Sequence, residues 1–292
     1  MKCMLCPRNC ETDRRVSKGY CGEGNIIKAA RASLHMWEEP CISGEEGSGT
    51  VFFSGCSLKC VYCQNKSISI GKIGKEISVD RLAEIFLELQ SKKANNINLV
   101  TGDHFIPQII EAIKKAKNNG LHIPIVFNTS SYISVDTVKA LRGYVDIFLA
   151  DFKYWESETG QKYSNAPDYP EAAKAAIEQM AEQTGEPLYD SRGMMKKGVI
   201  VRHMILPGYT AESKKIIEYV FKKYGNKVIL SIMNQYTPIN MESYSEINRK
   251  VTEQEYDEVI DYALSIGVEE AFIQEEGTQS ESFIPDFNIE GI

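Results

Sequence analysis

The chain has 292 residues, 43% hydrophobic, 25% charged and 10% aromatic, with a formal net charge of −7. That length allows one or two domains with a large core, and the apolar content excludes a disordered chain. No apolar run reaches the about 18 residues of a membrane span, the first residues lack a signal-peptide core, and the acidic balance gives no electrostatic case for binding nucleic acid; a soluble cytoplasmic protein is expected.

Three regions follow in chain order. Residues 1–48 are Cys-rich and turn-prone with little periodicity, which predicts a small metal-binding lobe. Residues 49–275 alternate short apolar runs with amphipathic stretches. Residues 276–292 read as an irregular tail.

The middle region opens with a β-prone run at 51–53. A helix over 81–92 follows, with Leu82, Ile85, Phe86 and Leu89 at helical spacing. A strand at 97–100 precedes a helix over 106–117. A strand at 123–127 precedes a short helix over 135–141. The run at 145–150 is almost wholly apolar, as a strand covered on both faces should be. Helix 170–183, strand 199–206, helix 213–224, strand 227–233, helix 253–265 and a last strand at 271–274 complete the series. Strands alternating with helices predict parallel pairing in an α/β fold. About six repeats fit a partial (βα)6-type barrel, with an open doubly wound sheet as the competing architecture. In either, functional residues belong at the C-terminal strand ends.

All eight cysteines lie between Cys3 and Cys63. Clustered thiols in a large cytosolic chain bind metal more readily than they form a disulfide framework. Directly after the first predicted strand come Cys56, Cys60 and Cys63, spaced C-x3-C-x2-C. Three thiolates this close can converge on one cluster. A four-iron cluster usually takes four cysteines, so three leave one iron open for chemistry. A zinc loop completed from elsewhere is the alternative.

The motif and its place after the first strand of a βα series resemble the radical S-adenosylmethionine superfamily, and most closely its pyruvate formate-lyase-activating enzyme branch. The opening stretch through Glu39 and Pro40 resembles an uncharacterised subgroup of that branch. The resemblance implies a [4Fe–4S] cluster on Cys56, Cys60 and Cys63 that reductively cleaves S-adenosylmethionine. The resulting 5′-deoxyadenosyl radical would abstract a hydrogen atom from the substrate, with a backbone glycine of a glycyl radical enzyme as the implied target. It also implies an electron donor such as flavodoxin or ferredoxin. Tyr62 would pack near the adenine.

Further residues map by the same resemblance. Thr101 and Asp103 stand where relatives carry Gly-Gly-Glu, and could accept hydrogen bonds from the cosubstrate's ammonium; Asp103 as a helix cap is the equal alternative. Asn128 replaces an acid after the third strand. Asp151 and Lys153 match an Asp-x-Lys that contacts the cosubstrate, and in an extended segment they point the same way. A plain salt bridge is their alternative. Arg202, before Pro207 and Gly208, could clamp a carboxylate, whereas His203 faces the other way as a structural residue. Gln235 lies near where relatives place a histidine by the cosubstrate.

Cys3, Cys6, Cys10 and Cys21, spaced C-x2-C-x3-C-x10-C, have sound metal spacing. Zinc and an auxiliary iron–sulfur cluster both fit such soft ligands. Cys41 is left as a small buried hydrophobe. Residues 35–39 read either as a lid facing substrate or as a loop with Trp37 anchored in the core. A small molecule or RNA as substrate, and a non-catalytic metal-binding or electron-transfer protein, are the competing functional readings.

Overall fold

The computed structural model describes residues 2–274 and 285–292. Its strands are β1 (Ile27–His35), β2 (Ser48–Phe53), β3 (Lys75–Ile77), β4 (Ile97–Val100), β5 (Ile125–Thr129), β6 (Ile147–Asp151), β7 (Leu188–Tyr189), β8 (Met195–Met204), β9 (Ile229–Met233) and β10 (Ala271–Ile273). They form one sheet in the order β10-β9-β8-β6-β5-β4-β2-β1-β3, with β7 attached to β8. From β2 through β4, β5, β6, β8 and β9 to β10, every neighbouring pair is parallel. β1 runs antiparallel to both β2 and β3. The row has two ends, so among the described residues the sheet stays open: a partial barrel.

Helices connect the parallel strands, including Val79–Ser91, Ile106–Asn118, Tyr169–Thr184, Thr210–Tyr224 and Glu253–Ser265. Their starts are set locally. Ser78 accepts from the Arg81 amide, and Thr252 and Glu255 form a reciprocal capping box. Among the described residues no helix is long and apolar enough to cross a membrane.

Strand alternation explains why a site forms at one end. Val126, Ile147, Leu149, Ile200 and Ile229 share one buried cluster with Cys41 and Ile42. Two residues further along these strands, the same face carries Asn128, Asp151, Arg202 and Ser231. The barrel interior therefore changes from apolar to polar toward the C-terminal strand ends. Phe127, Phe148, Ala150, Val199 and Val201 point the other way and join the larger core under the helices. His203 belongs to that face. It is buried between the Phe152 carbonyl and the Ser213 hydroxyl, as expected of a structural histidine.

Two features differ from the sequence expectation. β1 enters the sheet well before residue 48, so the expected lobe boundary does not coincide with a break in the fold. Its sequence, IKAARASLH, has few β-branched residues and no clean alternation, which hid it. The described part of the tail also returns to this strand: the Ile289 amide donates to the Ala30 carbonyl, and the Ala32 amide donates to the Glu290 carbonyl. Residues 276–284 of the expected tail lie outside the described residues.

Candidate active site

The loop after β2 is pinned at both ends. The Ser54 amide donates to Lys28 and the Gly55 amide to Ile68, while the Val61 amide donates to the Tyr163 carbonyl. Leu58 and Tyr62 are its buried anchors. The Tyr62 ring packs against Tyr154, Tyr163 and Tyr236 at centroid distances of 6.3, 6.2 and 5.8 Å. This leaves Cys56, Cys60 and Cys63 on the wall of one cavity of about 240 Å³. The cavity sits at the C-terminal ends of the strands, where a βα barrel places its site.

The same cavity is bordered by Tyr62, Thr101, Asn128, Asp151, Lys153, Arg202 and Gln235. Seven of the expected contacts are thus brought together from six loops and strand ends. Asp151 and Arg202 are direct partners across the β6–β8 pair. Arg202 Nε donates to Asp151 Oδ1 at 2.8 Å, and Lys153 Nζ donates to Asp151 Oδ2 at 2.7 Å.

Asp103 is the exception. Thr101 adopts a left-handed φ of 58° and a short 3-10 turn, Asp103–Phe105, follows. These turn the Asp103 carboxyl behind the strand ends, where it accepts from Thr129 Oγ1. It borders the pocket of the N-terminal cysteines instead of the main cavity. It makes no side-chain cap to the following helix either.

Glu38 is the residue that sequence reasoning did not single out. It accepts from Arg202 at 3.0 Å, Asn98 at 2.9 Å and Asn128 at 3.2 Å, and it borders the cavity. Asn128 Oδ1 in turn accepts from Arg202 at 2.6 Å. The segment carrying Glu38 runs into the barrel and ends on buried Cys41 and Ile42. Trp37 is not a core anchor. It is 61% exposed and borders the cavity.

The electrostatics follow from burial against pairing. Burial pushes the Asp151 carboxyl up, but Arg202 and Lys153 outweigh it and hold it below the usual range. Burial likewise disfavours a charged Lys153, but the Asp151 carboxylate outweighs it. Arg202 is kept charged by Asp151, Glu39 and Glu38. Burial pushes the Glu39 carboxyl up, and its Oε2 has no partner. Burial also pushes the Cys56 thiol up to about 12, so binding metal there releases a proton.

Among the described residues, no three Cys, His, Asp or Glu side chains converge closely enough for a single metal ion. The three thiols nevertheless border one cavity. That donor set suits a polynuclear iron–sulfur cluster, in which each thiolate binds its own iron.

The N-terminal cysteines gather in a second place. Cys3, Cys6, Cys10 and Cys21 border one small pocket together with Ser57, Asp103 and His104. Arg8 ties this lobe to the main body by donating to the Ser57, Ser164 and Asn165 carbonyls. Arg14 donates to the His104 and Gly24 carbonyls.

Comparison with known proteins agrees with this geometry. The model of the radical SAM superfamily matches residues 50–220, more than half of the chain. An uncharacterised protein of Methanocaldococcus jannaschii is 29% identical over 273 residues, covering 89% of this chain and 74% of that protein. The pyruvate formate-lyase-activating enzyme of Staphylococcus aureus is 22% identical over 199 residues, or 63% of this chain and 73% of that enzyme. SuiB of Streptococcus suis, solved bound to S-adenosylmethionine, superposes with a TM-score of 0.50 at 14% identity over 76% of this chain and 48% of SuiB. The chain spans about half the length of SuiB, and that likeness is one of fold. Matched through most of its barrel and carrying its three thiols on the loop after β2, the chain belongs to the radical SAM superfamily.

Proposed function

We propose that the chain is an enzyme that cleaves S-adenosylmethionine reductively and abstracts a hydrogen atom from a protein substrate, activating a glycyl radical enzyme. The observation that carries this reading is the shared cavity: Cys56, Cys60 and Cys63 on one wall, and Asp151, Lys153, Arg202 and Glu38 on another. The family implies a [4Fe–4S] cluster and S-adenosylmethionine. Cys56, Cys60 and Cys63 would hold that cluster, which when bound would supply the electron for reductive cleavage of the cosubstrate.

The chain's own residues bind and orient. Lys153, kept charged by Asp151, presents a fixed ammonium for the cosubstrate's carboxylate. Thr101 offers a hydroxyl toward its amino group. Tyr62 offers an apolar ring wall for the adenine, and Gln235 a side-chain amide near the ribose. Arg202 does not reach out. Its guanidinium is spent on Asp151, Glu38 and Asn128, so it positions the carboxylates that face the ligand. The four N-terminal cysteines form a second metal site.

The protein substrate is supported by the similarity to an activating enzyme. Electrons would come from a low-potential carrier such as flavodoxin or ferredoxin. Anaerobic incubation of the iron-loaded protein with S-adenosylmethionine, reductant and a purified glycyl radical enzyme tests the reading. A glycyl doublet by EPR is expected. 5′-Deoxyadenosine without the doublet would move the substrate to another class.

A further inference from the structure

The proposed function uses two walls of the main cavity, the thiol loop and the strand ends, and leaves a third without a role. His35, Trp37 and Glu38 border the cavity together with Phe52. This wall is fixed in place. The Ser43 hydroxyl donates to the His35 carbonyl at 3.2 Å and accepts from the Glu38 amide at 3.0 Å. Next in the chain, the short helix Pro40–Ser43 is held by Asn96 and Asn95, which donate to the Ile42 and Ser43 carbonyls at 2.7 Å each. The segment is therefore a preformed surface and not a moving lid.

The side chains on this wall differ in what they still offer. Glu38 is spent on Arg202, Asn98 and Asn128. Phe52 is apolar and buried. His35 is not spent. Its ring meets Phe52 edge-on at 5.8 Å, and among the described residues neither ring nitrogen has a hydrogen-bond partner. Burial, with the Arg31 charge beside it, holds the imidazole pKa down at about 4. At neutral pH the ring thus carries one N–H and one bare nitrogen.

Charge narrows the ligand. Among the described residues, four charged side chains border the cavity: Glu38, Asp151, Lys153 and Arg202. They are paired with one another, and the Lys153 ammonium is assigned above to the cosubstrate. A substrate group entering with its own charge would lose water without gaining a partner, which is costly. An uncharged polar group avoids that cost. Both carboxylates already accept from protein donors, so the bare imidazole nitrogen is an acceptor held ready for an incoming N–H. A glycine has no side chain to grip, and its recognition falls on the peptide groups around it.

We propose that residues 35–38 form the substrate-facing wall of the cavity, and that the His35 imidazole, backed by Phe52, accepts a hydrogen bond from a main-chain N–H of an uncharged peptide segment of the substrate. This rests on the reading of the cavity given above and adds the residue that selects the substrate. Trp37, which borders the cavity and is largely exposed, continues the wall to the surface.

The test uses the full chain, loaded anaerobically with iron and sulfide and saturated with S-adenosylmethionine. The probe is a short end-capped peptide without charged side chains, whose central glycine is deuterated at Cα. Calorimetry without reductant gives its dissociation constant for the native chain, His35→Phe and His35→Gln, and again after N-methylation of the peptide at the glycine and at the residue that follows it. His35→Phe should weaken the peptide about tenfold. His35→Gln, whose amide keeps an acceptor oxygen, should recover most of that loss. N-methylation should cost the native chain about tenfold but His35→Phe less than about twofold, because both changes remove the same bond. Losses that simply add would overturn the proposal and mark a merely structural role for His35, and so would a native chain that does not bind the peptide. Transfer of deuterium into 5′-deoxyadenosine, with dithionite added, is scored separately. Coupled binding without that transfer would leave the substrate wall standing and show that the hydrogen-abstraction reading has failed.

Discussion

Arg202 on β8 donates to Glu38 at 3.0 Å, across 164 residues of chain, while the same guanidinium holds Asp151 at 2.8 Å. One cation thereby fixes two carboxylates at the cavity, and all three side chains are nearly buried. Breaking such a pair from one side leaves an uncompensated charge, which costs more than the pair contributes.

This relationship explains why an amide stands at position 128. Asn128 donates to Glu38 and accepts from Arg202. An acid there would lose the donated bond and face Glu38 as a like charge. Asn128→Asp should lower the unfolding free energy by about 1–3 kcal/mol, and adding Glu38→Gln should recover most of it by exchanging acid and amide. Denaturant unfolding of the two variants measures this. A native-like stability of Asn128→Asp alone would contradict it.

Lys153 should act on affinity more than on folding. Its ammonium holds Asp151, but Arg202 also holds that carboxylate. Lys153→Gln should weaken S-adenosylmethionine binding by about tenfold, or about 1.4 kcal/mol. Calorimetry on the iron-loaded protein gives the number, and an unchanged dissociation constant would remove Lys153 from the binding site.

The buried His203 sets a pH slope. Burial holds its pKa down at about 4, against about 6.5 in an unfolded chain. The unfolded state therefore binds a proton first, and stability falls as pH drops from about 6.5 toward 4. Between pH 7 and pH 5 this residue accounts for about 2 kcal/mol. His203→Gln should flatten the slope by that amount in urea titrations at the two pH values.

Gly55→Ala should disturb both cysteine sets at once. The added Cβ meets Cys21 and Glu23 in a strained backbone region, at a cost of about 1–3 kcal/mol. Thermal unfolding should show the loss. Iron loading at Cys56, Cys60 and Cys63 should fall with it, whereas unchanged loading would mean that the loop absorbs the added Cβ.

Much of this was readable in the sequence because the signals are local. The apolar runs at 97–100 and 145–150 and the periodic helices gave the parallel series, and C-x3-C-x2-C marked a loop that borders the cavity. Strand alternation placed Asp151 and Lys153 on one side. Glu38 was hidden because its role depends on a segment that folds back into the barrel to meet Arg202. Asp103 misled because the left-handed turn at Thr101, which swings it behind the strands, is not encoded by a glycine at that position. β1 was missed because its pairing with β2 compensates for a weak local preference.

The most direct test of the account is 5′-deoxyadenosine formation. Native chain and Cys60→Ala would be loaded anaerobically with iron and sulfide, mixed with S-adenosylmethionine and dithionite, and the nucleoside quantified. The account predicts product from the native chain and none from Cys60→Ala. Equal product from both, or none from a native chain with verified iron loading, would contradict it.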